Sequence, residues 1–160
     1  MEELRDTDVY LARPWVSIRA RGHENVSATH RTTFELTRDN YLTPRGDCII
    51  GVSADKAAAH LPLWFKESAR SPEALVVALI CSGGICDAVV GRGDPRMSLA
   101  DERRIVFRRS RYVDASTVMI EASKAARDIR RDLVSLLVKG ERLEVLLSVV
   151  TRKARTVGRD

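Results

Sequence analysis

Two histidines, a glutamate, an aspartate, a thiol and three threonine hydroxyls fall within Arg21-Gly22-His23, Thr29-His30-Arg31-Thr32-Thr33-Phe34-Glu35 and Gly46-Asp47-Cys48. Imidazole exchanges protons near neutral pH, and a carboxylate orients it or pairs with it, so such a set suits acid–base chemistry. His23 in a glycine turn and Asp47 at a strand mouth are the acid–base candidates, with Arg45 or Arg109 to hold an anionic substrate. His30 reads as a packed, hydrogen-bonded histidine on the strand face of Phe34 and Leu36, and Glu35 points to the opposite face. Cys48 precedes Ile49-Ile50 and reads as a buried structural thiol. The His23–His30 spacing fits no zinc pattern, and no metal site is expected.

The other chemically suggestive stretch is Arg103-Arg104-Ile105-Val106-Phe107-Arg108-Arg109-Ser110-Arg111-Tyr112. Arginines interleaved with aromatics can track phosphates while stacking bases. The competing reading is an edge strand whose arginines pair with nearby acids such as Asp101 and Glu102. Arg19, Arg21 and Arg31 would extend the cationic set. Cys81 and Cys86 flank Ser82-Gly83-Gly84-Ile85, a two-residue hairpin signal that would set the thiols opposite each other. A bridge is then geometrically possible, but two reduced thiols are the favoured reading for an intracellular protein.

These residues need elements to position them. Pro14 to Arg21 alternates as a half-buried strand, and a second strand is predicted from His30 to Thr37. Cys48 to Val52 reads as a short apolar strand, Asp55 as a cap over Lys56 to His60, and Pro62 to Ala69 as a helix. Glu73 to Cys81 and Ile85 to Gly91 make the glycine-turn hairpin, with further strands over Arg104 to Arg111 and Ser116 to Glu121. Ser123 suits an N-cap for one long helix through Leu137, stopped by Gly140, and Leu143 to Val150 returns as a strand. No internal repeat is evident. The expected fold is α+β, with mainly antiparallel strands in a jelly-roll-like sandwich or barrel and one or two packed helices. Residues 13–152 are read as a single domain, with loose termini at 1–12 and 153–160.

The net charge of +5 permits a polyanionic partner without demanding one. The first residues lack a signal-peptide pattern and no apolar run reaches membrane-spanning length, so a cytoplasmic location and no membrane partner are expected. No phosphate-binding glycine loop is present, and no cofactor is implied.

The strings Arg21-Gly22-His23, Ala28-Thr29-His30-Arg31-Thr32-Thr33, Leu42-Thr43-Pro44-Arg45-Gly46-Asp47-Cys48-Ile49-Ile50-Gly51, Gly93-Asp94-Pro95 and Val106-Phe107-Arg108-Arg109-Ser110 resemble an archaeal family catalogued as domain of unknown function 371. The resemblance runs from about Val16 to about Val150. It implies a jelly-roll-like strand sandwich with attached helices and an archaeal, cytoplasmic source. It transfers no catalytic residue.

Three functional readings follow. The first is a module binding nucleic acid or a phosphorylated ligand through Arg19, Arg21, Arg31, Arg108, Arg109 and Arg111. The second is an enzyme acting on a small anionic or nucleotide substrate through His23 and Asp47. The third is a scaffold whose arginines meet an acidic protein surface. The continuity of the arginine–aromatic run favours the first.

Overall fold

The computed structural model describes residues 8–12 and 14–154 of the chain. Nine strands, β1 (Asp8–Ala12), β2 (Val16–Arg21), β3 (Thr33–Thr37), β4 (Ile49–Gly51), β5 (Leu75–Ser82), β6 (Ile85–Arg92), β7 (Arg104–Arg108), β8 (Thr117–Met119) and β9 (Arg142–Ala154), form two sheets. Helices α1 (Leu63–Ala69) and α2 (Arg131–Val138) pack on them. One sheet runs β1-β9-β5-β6 with β2 also on β9, and the other runs β4-β3-β7-β8. The fold is therefore α+β with mostly antiparallel sheets. Among the described residues no closed barrel forms. The pairs β3–β4 and β7–β8 are parallel, a departure from the wholly antiparallel pattern of a jelly roll.

Strand alternation sets which side chains face the core. Val16, Ile18 and Ala20 of β2, and Val76, Ala78 and Ile80 of β5, are buried, while Arg19 and Arg21 point outward. Gly83 and Gly84 join β5 to β6 with φ of +57° and +83°, the double left-handed conformation that a tight hairpin turn needs. Cys81 and Cys86 then face each other, with Cα atoms 4.1 Å apart, and are joined as a disulfide. This corrects the expectation of two reduced thiols: the turn brings the sulfurs within bonding reach.

Local chemistry moved several boundaries. The second strand begins at Thr33, not His30, because the His30 side chain folds back onto the Thr32 and Thr33 N–H groups. The long helix predicted from Ser123 is broken into a 3-10 turn at Ala126–Asp128 and then α2. Asp128 accepts the Ala125 N–H and closes that turn, Ile129 is extended, and Ser123 receives the Val90 N–H instead of capping. Strand β1 lies where the sequence has no period, and it pairs with the far end of β9. Residues 1–7 and 155–160 of the expected loose termini lie outside the described residues.

An internal repeat, missed in the sequence, organises the whole molecule. The run β2, β3, β4, a 3-10 turn (Ala58–His60), α1, β5 is followed by β6, β7, β8, the second 3-10 turn, α2, β9. Left-handed residues recur at matching places, Ala28 and Ser53 in the first half, Leu99 and Glu121 in the second. Isolated bridges match too, Arg21–Val52 and Arg92–Ile120.

The halves clasp each other reciprocally. The Gly22 N–H donates to the Glu141 carbonyl, and the Gly93 N–H to the Ala74 carbonyl. Arg38 N–H reaches the Arg103 carbonyl, and Arg109 N–H the Thr32 carbonyl. A Cβ on Gly22 would lie 2.0 Å from the Leu137 carbonyl oxygen in α2, and one on Gly93 2.0 Å from that of Ala69 in α1. Each glycine is required by the close approach of the other half's helix.

Candidate functional site

The arginine run is neutralised where it stands. Arg103 pairs with Asp39 at 2.7 Å, Arg109 with Asp128 at 3.2 Å and Arg111 with Glu121 at 2.5 Å. Arg104 lies within 4.0 Å of Glu35, Asp101 and Asp114. Arg108 donates to Asp114 at 3.1 Å and to Thr117 Oγ1 at 2.8 Å, and it covers the Tyr112 ring. Phe107 is fully buried and stacked on Phe34 with ring centroids 4.2 Å apart, so it presents no face to a base. β7 is an interior strand between β3 and β8, not an edge. The competing reading's pairing with acids holds, but of its two named acids only Asp101 takes part, with Arg104, and the remaining partners come from other segments; the edge position does not hold.

Burial would raise the Asp114 carboxyl, but hydrogen bonds from the Ser116 hydroxyl and N–H, the Arg108 charge and the Thr117 hydroxyl outweigh it. Together they hold the group down at about 2. Burial pushes Glu35 upward, opposed first by Arg104. Burial, then the charge of Glu35, pushes the Cys48 thiol up to about 12, which leaves it protonated and a poor nucleophile.

All three histidines cap backbone. His23 Nδ1 accepts the Asn25 N–H at 3.0 Å, His30 Nδ1 the Thr32 and Thr33 N–H groups, and His60 Nδ1 the Ala57 N–H at 3.0 Å. At the matching places of the second half stand aspartates with the same task. Asp94 accepts the Arg96 N–H, Asp101 the Arg103 and Arg104 N–H groups, and Asp128 the Ala125 N–H. Short side-chain acceptors that satisfy nearby N–H groups are a structural device. Asp47 serves the same loop through its backbone, its carbonyl accepting the Thr29 and His30 N–H groups. No hydrogen bond or ion pair joins His23 to Asp47. Among the described residues no three His, Cys, Asp or Glu side chains gather as a metal would require.

Cations without an ion-pair partner among the described residues lie elsewhere. Arg19, Arg21 and Arg142 line an open groove of about 860 Å³, together with Ser53, Asp55, Cys81, Ser82, Gly83, Gly84 and Glu144. β2 sends Arg19 and Arg21 outward, β9 supplies Arg142 and Glu144, and the glycine turn closes one end. Arg21 and Arg142 sit directly opposite each other in the β2–β9 register, a like-charge pair that costs stability unless something anionic joins it.

Among the described residues, no carboxylate or carbonyl receives a hydrogen bond from any of these three guanidinium groups. Both nearby acids are engaged. Glu144 accepts the Ser17 hydroxyl at 2.6 Å, and Asp55 accepts the Arg19 N–H at 3.0 Å while lying 3.6 Å from Lys56. In the second half, Arg92 matches Arg21 but is tied to Glu121 at 3.2 Å, and Glu121 stands where the first half has Ser53.

The family model described as Domain of unknown function (DUF371) matches residues 18–150. The chain belongs to this family. An uncharacterized protein of Methanocaldococcus jannaschii is 43% identical over 126 residues, covering 79% of this chain and 93% of its own. All three groove arginines and Ser53 fall inside the DUF371 match.

Sequence reasoning named Arg19 and Arg21 but missed Arg142 and Ser53. Strand register alone brings Arg142 to Arg21, and nothing in the linear string signals it. Arg31 and Arg45, also proposed from sequence, are exposed on loops outside the groove lining. Among the described residues no helix is long and apolar enough to cross a membrane.

Proposed function

We propose that the protein binds a small anionic ligand of the phosphate or carboxylate class in the Arg19–Arg21–Arg142 groove. The observation that carries this reading is that these three arginines line one groove and, among the described residues, none of their guanidinium groups is ion-paired, the groove's two acids Asp55 and Glu144 being bonded to other donors, whereas their counterpart Arg92 is paired with Glu121. Guanidinium forks match the oxygens of phosphate and carboxylate, and hydrogen bonds to charged groups are the stronger kind. The groove volume lies in the range of small-molecule sites. A polymer is less favoured, because Arg108, Arg109 and Arg111 are paired with Asp114, Asp128 and Glu121.

Calorimetric titration with pyrophosphate tests the reading. Saturable binding is expected, weakened at least tenfold by Arg21→Gln or Arg142→Gln and unchanged by Arg109→Gln. Equal loss in all three variants would reduce the effect to net charge and sink the proposal.

A further inference from the structure

The disulfide and the cationic groove share one line of the sheet. In register across the strands run Arg19 of β2, Glu144 of β9, Cys81 of β5 and Cys86 of β6. Cys81 lines the groove and is half-buried, whereas Cys86 lies beyond it and is exposed. Two strand spacings, about 10 Å, separate Arg19 from Cys81 at the backbone, within reach of a small ligand held by the arginines.

Attack on a disulfide proceeds along the sulfur–sulfur axis. Cys86 lies on β6 and the groove arginines lie beyond β9, on the opposite side of Cys81, so the groove is on the side of Cys81 away from Cys86. A nucleophile seated in the groove approaches Cys81 from the side away from Cys86, and Cys86 is exposed to solvent as the leaving group.

We propose that Cys81–Cys86 is a redox site that exchanges with low-molecular-weight thiols carrying an anionic group. This rests on the anion-binding reading of the groove. The ligand's thiolate sulfur bonds to Cys81 Sγ, the Cys81–Cys86 bond breaks, and Cys86 leaves with the electron pair and takes a proton from solvent. A second ligand thiolate then attacks the ligand sulfur of the mixed disulfide, releasing the ligand disulfide and the Cys81 thiolate. Two ligand thiols are oxidised to one disulfide, and the protein disulfide is reduced to two thiols. The reverse sequence reduces the ligand disulfide. Cys48 takes no part: it is the one free cysteine of the described residues, and burial keeps its thiol protonated.

The test uses the oxidised full chain with mercaptosuccinate, 2-mercaptoethanol and cysteamine at equal thiolate concentrations. Reactions are quenched by alkylation and the adducts located by tandem mass spectrometry. Mercaptosuccinate is expected to form its adduct on Cys81 at least tenfold faster than 2-mercaptoethanol, with cysteamine slowest. Excess pyrophosphate should slow only the anionic thiol, and an Arg21→Gln/Arg142→Gln protein should treat all three alike.

Equal rates for the three thiols, on a protein that still binds pyrophosphate, would overturn the exchange proposal and leave the groove reading standing. Equal rates with no pyrophosphate binding would remove both. An adduct on Cys86 in place of Cys81 would overturn the approach through the groove.

Discussion

The two halves of the chain share a backbone plan and differ in what their outer faces carry. In the second half Arg92 and Arg111 both close on Glu121, and exposed Leu75 and Val90 flank them. In the first half Ser53 replaces that glutamate, and Arg19 and, reaching across from β9 of the second half, Arg142 stand near Arg21. One half thus satisfies its own charges and the other leaves them open. Exposed ion pairs add little stability, about 0–1 kcal/mol each, so losing one costs the fold little while opening a site. The caps teach the complementary lesson. Three histidines in one half and three aspartates in the other do the same backbone work, so at these positions an imidazole and a carboxylate serve alike as the acceptor the loop needs.

The equivalence of the halves is most severely tested at the paired glycines. Gly22→Val and Gly93→Val each force a side chain against a helix-end carbonyl, which costs about 1–3 kcal/mol for overpacking. Calorimetric melting should show a drop of roughly 2–12 °C for either variant. A large drop for one and none for the other would break the reciprocal clasp.

The difference between the halves is sharpened by exchanging their charges. Ser53→Glu gives Arg21 the acid that Arg92 already has, at a left-handed position where the second half accepts glutamate. Pyrophosphate affinity should fall at least tenfold, about 1.4 kcal/mol. Glu121→Ser frees only Arg92 and Arg111, with exposed Leu75 and Val90 beside them, so any pyrophosphate binding gained there should be weaker than in the three-arginine groove.

The caps predict a smaller pattern. His30→Ala orphans two N–H groups and should cost about 1 kcal/mol in denaturant unfolding, by analogy with lost helix caps. His30→Asp should restore most of it, as Asp101 does in the other half. A catalytic role would instead show full stability in both variants with activity lost.

Acid titration separates the halves by their carboxylates. The folded Asp114 carboxyl lies at about 2, below its value of about 3.9 in an unfolded chain. Its stabilisation is therefore complete above about pH 4 and lost as pH falls toward 2. Asp114→Asn should lower stability at neutral pH and flatten the fall across that window. Gly46 holds the corresponding loop position in the first half, so no matching component is expected from it.

Much of the framework was legible in the string. Alternation in β2, the Gly83-Gly84 turn that joins β5 to β6 and Pro62 before α1 each act through neighbours in sequence, and each fell where expected. The candidate site was half legible: outward Arg19 and Arg21 follow from the same alternation, whereas their partner Arg142 does not. The long helix failed because Asp128 bonds its own local backbone and ends the first turn.

Local backbone preference and side-chain period are properties of the sequence, and they settled which residues turn and which faces are apolar. Pairing register was decided only in three dimensions, since it depends on the whole sheet closing around its core. Register brought Arg142 opposite Arg21, set Cys81 in line with Arg19, and gave every arginine of the 103–111 run an acid. The repeat was hidden for the same reason: hydrogen-bond geometry is satisfied equally by imidazole and carboxylate, so the fold kept the symmetry after the residues had lost it.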